Sequence, residues 1–264
     1  MTRLLSALAL LVVLGGVAWV APLEGLLLLA VAVSALAFIE FARLGDALGA
    51  RVPRLPGLVL TALVCVSAGW PTLPLAPSMV ALLVGAGVVA IWSGAPDRAV
   101  AGGIAVTVCG PLYIGLPLGA LINVAWVHGR QAAVLVVLTV VASDSAQYYT
   151  GRLFGKRPLA PAISPNKTIE GALGGFVGGA VAMAWLGGLW LPWMPLPTRL
   201  GIAVLLVAVG IVGDLLESTL KRAAQVKDSS HLIPGHGGVL DRIDALLLVI
   251  PVYAVALHAA RLIR

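Results

Sequence analysis

Charge is what this sequence lacks. Of its 264 residues 60% are hydrophobic and 11% charged, where a soluble domain carries about 25% charged residues. A soluble fold has no way to bury so much apolar surface, which leaves the bilayer as the solvent. Cysteine is scarce too: Cys65 and Cys109 are the two present, both in apolar stretches and without CxxC spacing or histidine neighbours. That excludes a disulfide framework and a thiolate metal centre, and the pair read as small apolar packing residues. Net charge is +6, but no soluble basic face exists to carry it, which excludes nucleic acid as a partner. Aromatics are few, and tryptophans such as Trp19, Trp70, Trp190 and Trp193 fall near the ends of apolar runs, where interfacial belts are expected.

What the chain has instead is a series of apolar windows, at about 4–20, 23–43, 56–75, 78–94, 100–124, 131–150, 169–191, 198–220 and 240–260. Each is near the roughly 20 residues that cross a bilayer as a helix. The first resembles a leader, but its exit, Ala18 to Pro22, lacks a small residue at the −3 position of a cleavage site, and further spans follow at once; it reads as a retained helix. The expectation is an all-α polytopic membrane protein of nine transmembrane helices, with eight or ten as the bracket because the division around Pro71 to Pro77 is weak. A cytoplasmic N-terminus puts Arg3, Arg43, Arg51, Arg54, Arg98, Arg152, Lys156, Arg157, Lys167, Lys221, Arg222, Lys227 and Arg242 inside, thirteen of the 17 basic residues. That is the positive-inside pattern, and it places the active surface on the cytoplasmic face of an inner (plasma) membrane. Residues 1–130 read as scaffold helices and 131–264 as the catalytic transmembrane region, in one continuous membrane domain.

The remaining charge is concentrated. In the eighth window Asp214, Glu217, Ser218 and Lys221 share a helical face, and Asp241 and Asp244 share another at the start of the ninth. Acids at a helix end in a membrane are costly unless paired or bound to a cation. A Glu217–Lys221 ladder is one solution. Several carboxylates converging at one depth favour another, Mg²⁺ held by Asp214, Asp241 and Asp244, with Glu217 balanced between the two. Lys221, Arg222, Lys227 and Arg242 interleave with these acids, which suits phosphates, and Asp228 lies among them. Gly235, Gly237 and Gly238 bracket His236 and permit close approach to a ligand; His236 itself fits a phosphate donor, a general base or a loop-structuring residue equally.

A second polar loop runs from Gly151 to Gly171. Ser164 and Pro165 read as a helix cap and first helical position, making a helix N-terminus beside Lys167 a ready anion site. Asp144, at the inner end of the sixth window, has no obvious local partner and joins the site candidates. Gly171, Gly175 and Gly179 form a small-xxx-small stripe, for packing within the chain or in a homodimer. Glu40 and Arg43 read as a surface pair, and His128 and His258 as interfacial.

The run S-T-L-K-R, then K-D-S-S-H-L-I-P-G-H-G-G-V-L-D-R-I-D, from Ser218 to Asp244, resembles the signature of the phosphatidate cytidylyltransferases, or CDP-diacylglycerol synthases. The run from Ser143-Asp144 through G-R-L-F-G-K-R to S-P-N-K-T-I-E-G is similar to that family as well. Ser230 departs from it, since many members have glycine there. The resemblance implies that CTP and phosphatidate give CDP-diacylglycerol and pyrophosphate with Mg²⁺, and two cations could clamp the attacking and leaving oxygens. It implies metal roles for Asp214, Asp241 and Asp244, with Asp144 and Glu217 beside them, and phosphate roles for Lys221, Arg222, Lys227, Arg242 and Lys167. Because the nucleophile is already an anion, it argues against His236 as a base. The rivals are a related CTP-dependent lipid cytidylyltransferase, a polyprenol kinase and, in another class, a cation-coupled transporter, whose site would lie nearer the midplane. The D-G-x-x-A-R motif of the CDP-alcohol phosphatidyltransferases is absent.

Overall fold

A computed structural model describes residues 16, 19–93, 96–230, 232 and 237–262. Among the described residues nine α-helices follow in order: α1 Leu23–Ala47, α2 Arg54–Gly69, α3 Leu75–Trp92, α4 Arg98–Gly110, α5 Leu116–His128, α6 Arg130–Phe154, α7 Ile169–Trp190, α8 Leu196–Ala223 and α9 Leu240–Leu262. A π-helical segment, Pro111–Gly115, joins α4 to α5. Among the described residues seven helical stretches are long and apolar enough to cross a membrane, the α4–α5 stretch counting as one; α2, at 16 residues, falls short. The chain is thus an α-helical, polytopic membrane protein. Eight of the nine expected windows coincide with these elements. Most of the first lies outside the described residues, where only Gly16, Trp19 and Val20 are seen, all helical.

The chain divides into two compact units, residues 1–130 with 223–243, and residues 131–222 with 244–264.

In the first unit, α2 packs against α1, α5 and the π segment. The approach is close because Gly115 and Gly119 face the backbone of Thr61 and Cys65, where a Cβ would collide with carbonyl oxygens. Phe38, wholly buried, sits on Gly57 and Gly110. Proline at 111 cannot donate a helical hydrogen bond, and the backbone there relaxes to a π turn, Leu116 N–H reaching Pro111 O. The weak division near Pro71 is a short turn, with Leu73 N–H donating to Trp70 O at 3.1 Å. Pro77 falls in the first turn of α3, where a missing N–H costs nothing.

In the second unit, Leu135, Met183, Leu206, Leu247 and Ile250 are buried core residues of α6, α7, α8 and α9. The glycine stripe of α7 is spent within the chain: Gly171 and Gly175 face Gln147, and Gly179 faces Ser143 and Val207. The stripe therefore gives no ground for the homodimer. The all-α expectation needs one correction. Residues 158–168 form an antiparallel hairpin, β1 Pro158–Ala160 with β2 Ser164–Thr168, pairing Pro158 with Thr168 and Ala160 with Ser164. Ser164 and Pro165 are therefore strand residues and not a cap. The cap is Thr168, whose hydroxyl accepts from Gly171 N–H at 3.1 Å. Proline is tolerated here because both strands of a two-stranded hairpin are edge strands.

Candidate functional site

Most of the acids singled out in the sequence gather in the second unit. Asp144 comes from α6, Asp214 and Glu217 from α8 and Asp244 from the start of α9. The carboxyls of Asp144, Asp214 and Asp244 lie close enough to repel one another. Two lysines temper that repulsion. Lys167, at the end of β2, forms an ion pair with Asp214, partly shielded from solvent. Lys221 reaches back one turn of α8 to Glu217 at 3.3 Å, with Glu217 fully buried. Ser218 Oγ lies 3.4 Å from Asp214 Oδ1. The ladder and the acid cluster, posed as alternatives by the sequence, coexist. Arg222, one residue beyond, is exposed.

Asp144 does have a local partner, which the sequence reading missed. Gln147, one turn further along α6, donates from Nε2 to Asp144 Oδ1 at 3.2 Å and to Ser143 Oγ at 3.2 Å. These three residues line a narrow cleft with Thr139 and, across it on α8, Leu206, Val207 and Gly210. Amide-bearing side chains one turn from an acid are the signal that would have found Gln147. Glu170 was missed as well. Its carboxylate accepts from Lys156 N–H at 3.0 Å, Arg157 N–H at 3.2 Å and Arg157 Nε at 3.0 Å, and so ties the loop after α6 to the first turn of α7.

Asp241 belongs to the first unit, and its surroundings differ. Its Oδ2 accepts from Ser229 N–H at 2.9 Å and Gly238 N–H at 2.7 Å, and lies 2.9 Å from Ser229 Oγ. Lys227, Asp228 and Arg242 are exposed. Gly237 adopts φ +78°, a left-handed conformation that favours glycine. A Cβ on Gly238 would collide with Ser229 and with Glu40. The close approach that these glycines permit is thus, in this unit, to the protein's own carboxylates. His236 and Gly235 lie outside the described residues.

Glu40 is the largest correction. It is no surface pair with Arg43: it is 2% exposed, while Arg43 is exposed. Its Oε1 accepts from Ser230 Oγ at 2.6 Å and Val239 N–H at 3.0 Å, its Oε2 accepts from Leu240 N–H at 2.8 Å, and Ser229 Oγ, whose one proton is shared with Asp241, lies 3.0 Å from Oε2. An acid within an apolar helix is a functional candidate by default, and that cue was present in the sequence.

Among the described residues no group of three or more histidines, cysteines or acids is set to hold a metal ion by itself. The donors fit Mg²⁺ nonetheless. They are hard carboxylate oxygens gathered with two lysines, and Mg²⁺ is commonly held by one or two carboxylates together with substrate phosphates.

Helices built to cross a bilayer, with acids and lysines gathered at their ends, define an integral membrane protein with a polar site suited to anionic ligands. The chain belongs to the Cytidylyltransferase family, which it matches over residues 1–260. It is similar to phosphatidate cytidylyltransferase of Haemophilus influenzae, 43% identical over 136 residues, 48% of this chain and 46% of that one. The protein of the same name in Pseudomonas aeruginosa is 40% identical over 167 residues, 56% of each chain. That of Bacillus subtilis is 40% identical over 144 residues, 53% of each. The chain thus spans about half the length of the curated relatives it matches.

Proposed function

We propose that the protein is a phosphatidate cytidylyltransferase, converting CTP and phosphatidate to CDP-diacylglycerol and pyrophosphate for phospholipid synthesis. The observation that carries this reading is the second unit's cluster: three mutually repelling carboxyls, Asp144, Asp214 and Asp244, with Lys167 and Lys221 set among them. In the reaction an oxygen of the lipid phosphate attacks the α-phosphorus of CTP. A P–O bond forms, the bond from the α-phosphorus to the bridging oxygen breaks, and pyrophosphate departs with that electron pair. The nucleophile is an anion from the start, so no side chain need remove a proton. Positioning and charge neutralisation suffice.

Lys167 and Lys221 would meet phosphate oxygens, exchanging the carboxylates they now hold. Arg222, Lys227 and Arg242, all exposed, would draw in the nucleotide's charge. Mg²⁺ would be held by Asp214 and Asp244, with Asp144 and Glu217 beside them, and would supply neutralisation of charge on the departing pyrophosphate. Asp241 suits loop anchoring better than metal binding, because its Oδ2 already accepts from two backbone N–H groups and lies 2.9 Å from Ser229 Oγ. The distribution of lysine and arginine supports a cytoplasmic N-terminus, nine spans in the cytoplasmic membrane and a site open to cytosolic CTP, with acyl chains remaining in the bilayer.

The test is direct. Purified protein with Mg²⁺, CTP and phosphatidate in mixed micelles is expected to form CDP-diacylglycerol and release pyrophosphate in equal amounts. If no CDP-lipid forms while the protein in vesicles passes ions in a manner dependent on Asp214, a cation-coupled transporter replaces this reading.

A further inference from the structure

We infer that Glu40 is a positioning residue for the site, a role that deepens the cytidylyltransferase reading and rests on it. The groups around its carboxylate come from two stretches far along the chain. Ser229 and Ser230 lie on one side of residues 231–236, Val239 and Leu240 on the other. One side chain therefore fixes both ends of the segment that carries Lys227 and Asp228 before it and Asp241 after it. The partners are separated from Glu40 by 189 to 200 positions, so no local turn could supply the same restraint.

Two features make this more than a buried polar contact. First, these donors are neutral: among the described residues Glu40 is held by backbone amides and hydroxyls. Such an arrangement fixes geometry, because each donor has a preferred direction at the carboxylate. Second, the clasp is joined to Asp241. Ser229 Oγ lies 3.0 Å from Glu40 Oε2 and 2.9 Å from Asp241 Oδ2, and Gly238 N–H reaches Asp241 at 2.7 Å. A shift at Glu40 is passed on through one serine to Asp241, at the start of the helix that carries Asp244. Ser230 gains meaning here as well. Its hydroxyl gives Glu40 the shortest of these hydrogen bonds, 2.6 Å.

The experiment uses the full-length protein in detergent with phosphatidate, and reads two quantities: kcat per folded enzyme, and hydrogen exchange at the Val239 and Leu240 amides. Glu40→Gln keeps the size of the side chain but turns one acceptor oxygen into a donor facing donors. The expected result is faster exchange at both amides and a fall in kcat of about 100-fold, the cost of displacing a positioned group by about 1 Å, with KM for CTP changed much less. A fold-stabilising role alone would lower the yield of folded protein and leave kcat per folded enzyme intact. Wild-type kcat in folded Glu40→Gln, or unchanged exchange, overturns the inference. If Glu40→Gln does not fold, Ser230→Ala decides, being expected to quicken exchange at Val239 and lower kcat severalfold; no change in either overturns it. Should the wild type itself fail to make CDP-lipid, the functional reading fails, and the exchange measurement still decides whether the clasp exists.

Discussion

Glu40 and Asp241 in the first unit are satisfied in the opposite way to Asp214 and Glu217 in the second. In the first, Glu40 and the Oδ2 of Asp241 rest on backbone N–H groups and serine hydroxyls. In the second, Asp214 and Glu217 rest on lysines. A carboxylate held by amides of its own loop has fixed partners, because those amides go unpaired if it lets go. A carboxylate held by a lysine can trade that ammonium for a cation while the lysine turns to a phosphate. The first arrangement suits holding a shape and the second suits handling charge. Apolar spans supply the frame for both, and the same residue type does different work according to what donates to it.

Substitutions can break or sharpen this contrast. The largest effect is expected on turnover in the second unit. Asp214→Asn removes a charge facing Lys167, and activity is expected to fall by about 100-fold to 1,000-fold, the range for losing one electrostatic stabiliser. Pyrophosphate release checks it, and normal membrane insertion separates it from misfolding. Next comes stability in the first unit. Glu40→Ala strands buried donors, and thermal unfolding in detergent is expected to show a loss of about 3 kcal/mol.

A comparable loss, about 3 kcal/mol, is expected for Lys221→Met, which leaves the fully buried Glu217 without its lysine. The double variant Lys221→Met with Glu217→Gln is expected to regain much of that stability without regaining activity. That outcome would mark the pair as retained for chemistry. Additive losses in the double variant would mean that the two side chains act independently. The smallest effect is Ser230→Gly, which deletes one of Glu40's donors and is expected to cost about 1 kcal/mol in the same unfolding measurement.

The pattern of the chain made much of this visible. Apolar windows marked eight of the described helices' positions because a bilayer imposes length and composition directly. Asp144, Asp214, Glu217 and Asp244 stood out because charge is rare in such surroundings. What escaped was tertiary. Residues 158–168 carry no strand alternation, so the hairpin and its consequence, Thr168 in place of Ser164 as the cap, depended on pairing that local pattern does not encode. Glu40 escaped for a simpler reason: Arg43, one turn away, offered a nearby partner, while the true donors lie some 190 positions further on. The stripe of glycines in α7 was legible as a packing surface, but its partner, α6, was not.

The claim that the second unit's acids perform the chemistry is tested most directly by Asp244→Asn. The measurement is Mg²⁺-dependent turnover of CTP and phosphatidate, alongside hydrogen exchange at Val239 and Leu240. Turnover is expected to fall by at least about 100-fold, with exchange at both amides as in the wild type. Wild-type turnover in the folded variant would contradict the assignment.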